Sequence, residues 1–190
     1  EPAVARTGGG EGYRLLFGGI DSRDVTKRIT SPSGIMANVT ERMGLEVGCR
    51  VANAELSIPI EERRFLKNSE ITDEPQDVNF RDVPESIEKI KLDIQYLHEK
   101  LLGEKLELGD EEIERTYQLY VDVWTEGRTN VINMVEGGER WPGQCIASRN
   151  YVTGASFGDG EYLEYDELYT GRAWQAVFAY LLTDYSFLYE

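Results

Sequence analysis

The chain is poor in the residues that make chemistry easy to find. Of 190 residues one is histidine, His98, and two are cysteine, Cys49 and Cys145. A lone histidine excludes any site built from several imidazoles. The stretch HEKLL at 98–102 opens like a zincin H-E-x-x-H motif but places Leu102 where the second ligand belongs. The cysteines lie far apart and fit neither C-x-x-C nor C-x-x-C-H, which excludes zinc ribbons, thioredoxin-like redox motifs and covalently attached haem. Basic residues are also scarce. Twenty Lys and Arg against 35 Asp and Glu leave a net charge of −15, a field that repels phosphate backbones and anionic lipid, so nucleic acid is not expected as a partner. The longest apolar runs, YRLLF and AVFAYLL, fall far short of the ~20 residues that cross a bilayer, and no membrane span is expected.

What is present is a folding composition: 41% hydrophobic and 11% aromatic residues, with eleven tyrosines and three tryptophans, where disordered chains lack both aromatics and large aliphatics. Residues 1–12, EPAVARTGGGEG, have no periodicity and read as a flexible Gly-rich arm, of the kind left when a leader is removed. Residues 13–190 then form one mainly helical domain. GYRLLFGGI is a short extended segment fenced by glycines. A first helix opens at SPSG, with Ile35, Met36, Val39, Met43, Val47 and Val51 as its apolar stripe; Gly44 and Gly48 interrupt it and imply close approach of another helix. SIPIEERRFL repeats the Ser-Pro start and predicts a short helix; EITDEPQDVNFRDVPE is a long loop.

The clearest helix runs from Pro84 to Leu102, with Ile87, Ile90, Ile94, Leu97 and Leu101 on one stripe and Gly103 as its stop. His98 falls just outside the edge of that stripe and reads as a rim residue bonded to a carboxylate. Another helix starts at Asp110, buries Ile113, Tyr117, Tyr120, Val121 and Trp124, and is expected to stop at Gly127. Between Arg128 and Tyr169 a Gly- and Tyr-rich stretch of turns has room for one or two short strands, and a last helix is expected from Thr170 to the end, with Trp174, Val177, Phe178, Leu181, Tyr185 and Leu188 on one face. The fold class expected is mainly α, a bundle of four or five helices with one loop-rich segment.

Candidate sites are few. His98 can supply an axial ligand to a haem held by a partner chain. Asp159, Glu161, Glu164 and Asp166 offer the hard oxygens that calcium prefers, without EF-hand spacing. GASFG at 154–158 has the spacing of a nucleophile elbow, but the lone histidine precedes the serine and no strand-turn-helix context surrounds it. Cys49 and Cys145 pair if the chain is exported and are buried thiols if it is not; the disulfide is the leading expectation. Tyr162, Tyr165, Tyr169 and Tyr189 crowd the C-terminal region, where amphipathic rings suit a protein interface.

Three blocks, GGIDSRDVTKRITSPSGIMANVTERMGLEVGCR, YLHEKLLGEKLELGDEEIERTYQLY and AWQAVFAYLLTDYSFLYE, together resemble uncharacterised exported proteins of myxobacteria and related bacteria, some of which occur beside or fused to c-type cytochrome modules. The resemblance implies an exported, non-catalytic subunit next to a haem protein and transfers no catalytic residue. The expected function is therefore a structural or accessory subunit of an extracytoplasmic assembly, such as an electron-transfer complex or filament containing cytochromes, with no intrinsic cofactor. The alternatives are a metal-dependent or hydrolytic enzyme using the acidic loops with His98, and a calcium-stabilised binding module.

Overall fold

The computed structural model of the chain describes residues 34–133 and 139–184. The Gly-rich arm, the segment GYRLLFGGI, Tyr185, Leu188 and Tyr189 lie outside them. Among the described residues four α-helices carry the architecture: α1 (Gly34–Leu56), α2 (Pro84–Leu97), α3 (Glu111–Ile132) and α4 (Thr170–Leu182). The expected helical bundle is therefore the fold. The short strands are not formed among the described residues; the only β pairing there is three isolated bridges, Gln76 with Asp82, Arg140 with Tyr165 and Arg149 with Ser156.

Helix α4 forms the centre, because it is apolar nearly all round. Ala173, Trp174, Val177, Phe178, Ala179, Leu181 and Leu182 are all buried, and a helix hydrophobic on every side is one that other elements surround. The Tyr120 and Trp174 rings meet edge-to-face at 5.0 Å and Phe65 meets Phe178 at 6.0 Å. Ile90, Ile94 and Leu97 of α2 and Ile113 and Trp124 of α3 complete the same core.

Helix α1 packs on α4 by a face the apolar periodicity does not select. The buried positions are Thr40, Gly44, Gly48, Cys49, Ala52, Asn53, Glu55 and Leu56, whereas Leu45 and Val47 of the helix are 49% and 37% exposed. The cause is distance. A Cβ on Gly48 would lie 3.0 Å from both the Ala179 nitrogen and the Gln175 oxygen, so only small residues admit α4. Gly44 faces Ala179 and Thr183 while Gly48 faces Gln175 and Ala179, which sets the two helices antiparallel.

Two other expectations change. The helix predicted from SIPIEERRFL is a single 3-10 turn, Ile60–Glu62, because the amides of residues 64–66 are drawn to the Glu55 side chain instead. Helix α3 runs on through Gly127 to Ile132. Gly127 is a seat rather than a stop: a Cβ there would overlap the ring of Tyr169, itself held at φ 60°. Gly127→Ala would gain about 1 kcal/mol in helix propensity and lose about 1–3 kcal/mol to overpacking. We expect a net loss of stability in urea unfolding, reversed in a Tyr169→Ala background. A stabilised single variant would show that Tyr169 yields freely.

Candidate functional site

His98 is not at the rim. Its side chain is 1% exposed, with Nδ1 2.8 Å from Glu104 Oε2 and Nε2 3.0 Å from Thr116 Oγ1. The reason lies directly after α2, where residues His98–Leu102 widen into a π turn and Gly103, at φ 71°, reverses the chain. The His98 carbonyl accepts the Glu104 amide at 3.2 Å, which folds the Glu104 carboxylate back to the ring. With the proton on Nδ1, the ring donates to Glu104 and accepts the Thr116 hydroxyl at Nε2. Thr116, His98 and Glu104 thus stand in the order of a nucleophile, base and orienting acid. Yet Thr116 is fully buried and His98 nearly so, so no substrate carbonyl reaches the hydroxyl. Both ring nitrogens of His98, the residue expected to be able to serve as an axial ligand, are engaged within the chain.

Three carboxylates are buried as deeply, and each gathers backbone amides. Glu55 accepts the amides of Arg64, Phe65 and Leu66 together with the hydroxyl of Tyr151. Asp93 accepts those of Lys67 (2.9 Å), Asn68 (3.0 Å) and Ser69 (2.9 Å) and the Asn68 side-chain amide at 2.7 Å. Asp166 accepts the amides of Gly171 (3.1 Å) and Arg172 (2.8 Å), free donors of the first turn of α4. A neutral bracket, Asn53, does the same for the loop-rich segment, donating to the Leu163 carbonyl at 2.7 Å and accepting the Ala147 amide at 2.7 Å. These groups fix irregular chain to helices. A signal for Asp93 existed in the sequence: an acid between Ile90 and Ile94 on an apolar face is seldom buried without dedicated donors.

The four acidic residues expected as calcium ligands have separate surroundings. Asp159 is exposed, Glu161 accepts the Gly158 amide at 2.6 Å, Glu164 pairs with Arg140 at 2.7 Å, and Asp166 points into the core. Among the described residues no group of three or more His, Cys, Asp or Glu is placed to hold a metal ion. The tyrosines are likewise dispersed. Tyr165 is 47% exposed, Tyr162 is half-buried, and Tyr169 packs over Gly127 with the Arg172 guanidinium 5.1 Å above its ring. Cys49 and Cys145 form a disulfide with their Cα atoms 5.3 Å apart. Beside it lies an open groove of about 580 Å³, bordered by Arg42, Leu45, Glu46, Pro142 and Gln144.

Burial raises the carboxyls of Asp93 and Asp166 above the ordinary aspartate value, against the downward pull of their amide donors. The native state then holds these protons to higher pH than the unfolded chain does, so this contribution to stability is full at low pH. It is lost as pH rises from about 3.9, the unfolded value, through the raised native values. We expect Asp93→Asn/Asp166→Asn to remove that component. Urea midpoints measured from mildly acidic to neutral pH should therefore fall less steeply, or rise more steeply, with pH in the double variant than in the wild type. Parallel profiles would refute the assignment.

No family matches the chain, and neither does any curated protein or any solved structure. The class it defines is thus given by its own geometry, a disulfide-linked helical domain whose buried histidine and three buried carboxylates bind neighbouring chain.

Proposed function

We propose that the protein is a non-catalytic structural or accessory subunit of an extracytoplasmic protein assembly. One observation carries this reading: the side chains with catalytic potential, His98, Glu55, Asp93 and Asp166, each spend their hydrogen-bonding capacity on neighbouring chain. The Cys49–Cys145 bond supports the compartment, because disulfides persist outside the reducing cytosol. The acidic surface favours partners with cationic faces.

The test is size-exclusion chromatography with light scattering on protein taken from its native source with thiols trapped at lysis. Expected are an oxidised cysteine pair and a mass above that of one 21.6 kDa chain, from co-purifying polypeptide. A lone monomer, or two free thiols, would overturn the respective half of the proposal.

A further inference from the structure

Residues 76–82, in the long loop before α2, form a closed turn that holds two apolar side chains out in solvent. Val78 is 77% exposed and Phe80 is 51% exposed. Single exposed hydrophobics such as Ile132 are ordinary on any surface; two on one clamped turn are not. Neither belongs to the core or to the residues packed upon it.

The clamp is local. The Asp77 amide donates to the Arg81 carbonyl at 2.8 Å and the Phe80 amide to the Asp77 carbonyl at 2.9 Å. The Asp77 carboxylate accepts the amides of Asn79 (2.8 Å) and Arg81 (3.0 Å) and the Arg81 guanidinium. At the root, the Val83 amide donates to the carbonyl of the buried Pro75 at 3.0 Å, and Gln76 Nε2 reaches Asp82 Oδ1 at 3.0 Å. The Arg81 guanidinium holds the Asp77 carboxyl down to about 2, so the clamp stays charged at any ordinary pH.

Phe80 has φ 56°, in the left-handed region that L side chains enter at a cost. Gly or Asn would meet the same turn geometry with less strain. A strained backbone carrying a solvent-exposed aromatic is a pattern that folding alone does not explain, and such strain gathers at sites of recognition.

We propose that this turn is a docking knob, and that Val78 and Phe80 enter an apolar recess rimmed by Lys or Arg side chains on a partner protein. The inference rests on the accessory-subunit reading and names its contact. The cationic rim follows from charge: Asp82, Glu85 and Glu88 are exposed around the root of the turn, and the chain as a whole carries −15. The same field turns away anionic lipid. Because its own hydrogen bonds already order the turn, binding loses little conformational entropy.

The test compares wild type with Phe80→Asn in two measurements. In thermal unfolding the variant should melt at the same temperature or higher; a clear fall in Tm would assign Phe80 to the fold and overturn the knob. In the second, a random peptide library displayed on phage is selected on the wild-type protein with counter-selection on the variant. Expected are peptides that combine large apolar residues with Lys or Arg, bind the variant at least tenfold more weakly, and weaken with added salt. Absence of such enrichment, equal binding to both proteins, or enrichment of acidic peptides would each overturn the proposal. A native partner that stays bound to Phe80→Asn would leave the subunit reading standing and remove only the knob.

Discussion

Reduction of the Cys49–Cys145 bond, or its replacement in Cys49→Ala/Cys145→Ala, should lower the unfolding free energy by about 4–5 kcal/mol, the loop-closure expectation for a ring of this size. The bond closes 96 residues of sequence separation, and it is the one covalent link between α1 and the irregular segment at 139–169. The other hydrogen bonds from α1 to it are few: Arg50 Nε to the Gln144 carbonyl at 3.1 Å, the two made by Asn53 one turn further along, and the Tyr151 hydroxyl to the Glu55 carboxylate. Without the bond these contacts must hold a segment that has no helix or sheet of its own. The matching shift in Tm is roughly 10 °C or more for a chain of this length. Thermal unfolding with and without a phosphine reductant measures it. A loss below about 1 kcal/mol would mean that the denatured chain keeps these regions together without the bond. The segment it holds also packs Trp141, a fully buried side chain, close to Gly171 of α4: a Cβ on that glycine would lie 2.7 Å from the Trp141 ring. Losing the bond therefore loosens the core as well as a surface loop.

Long, strongly periodic helices were legible in the sequence. The stripe of Ile90, Ile94 and Leu97 is fully buried as its spacing requires, Gly103 closes that helix in the left-handed conformation, and Trp174, Val177, Phe178 and Leu181 form the inner face of α4. Legibility failed where burial is decided by distance or by hydrogen bonds rather than by apolar surface. In α1 the spacing of Gly44 and Gly48 does announce the close approach of another helix, but the apolar stripe points Val47 inward and it lies outward, because the contact with α4 is made by the glycines rather than by that stripe. In α3 Gly127 carried the sign of a terminator, but its role depends on Tyr169, 42 residues later, which local sequence does not encode. An ideal 100° step per residue puts His98 at the rim; what covers it comes from elsewhere, Glu104 returned over the ring by the chain reversal at Gly103 and Thr116 of α3 on its other nitrogen. Asp166 reads in sequence as part of an acidic run, while its structural partner is the open end of a helix that starts four residues on.

Asp93→Ala should cost about 3–5 kcal/mol, near the upper end for a single side chain. The residue has no exposure, and its two oxygens accept the amides of Lys67, Asn68 and Ser69 and the side-chain amide of Asn68. Each buried donor left without an acceptor costs about 1–3 kcal/mol, and water can satisfy only those reached by opening the turn. Asp93→Asn separates the contributions: it keeps the shape and one acceptor oxygen but turns an NH2 group toward donors, so it should be milder than Asp93→Ala and still clearly destabilising. The turn at 67–69 is also where the buried Arg63 guanidinium donates, to the Ser69 carbonyl at 2.7 Å and to Glu70 at 2.6 Å. Loss of Asp93 should therefore be coupled to loss of Arg63. A double-mutant cycle of Asp93→Asn with Arg63→Met should give an interaction energy of about 0.5–3 kcal/mol. Strict additivity would mean that the two brackets hold the turn independently. A penalty below about 1 kcal/mol for Asp93→Ala would mean that the 67–69 amides find solvent without cost, and that the carboxylate is a passenger in the core rather than its organiser.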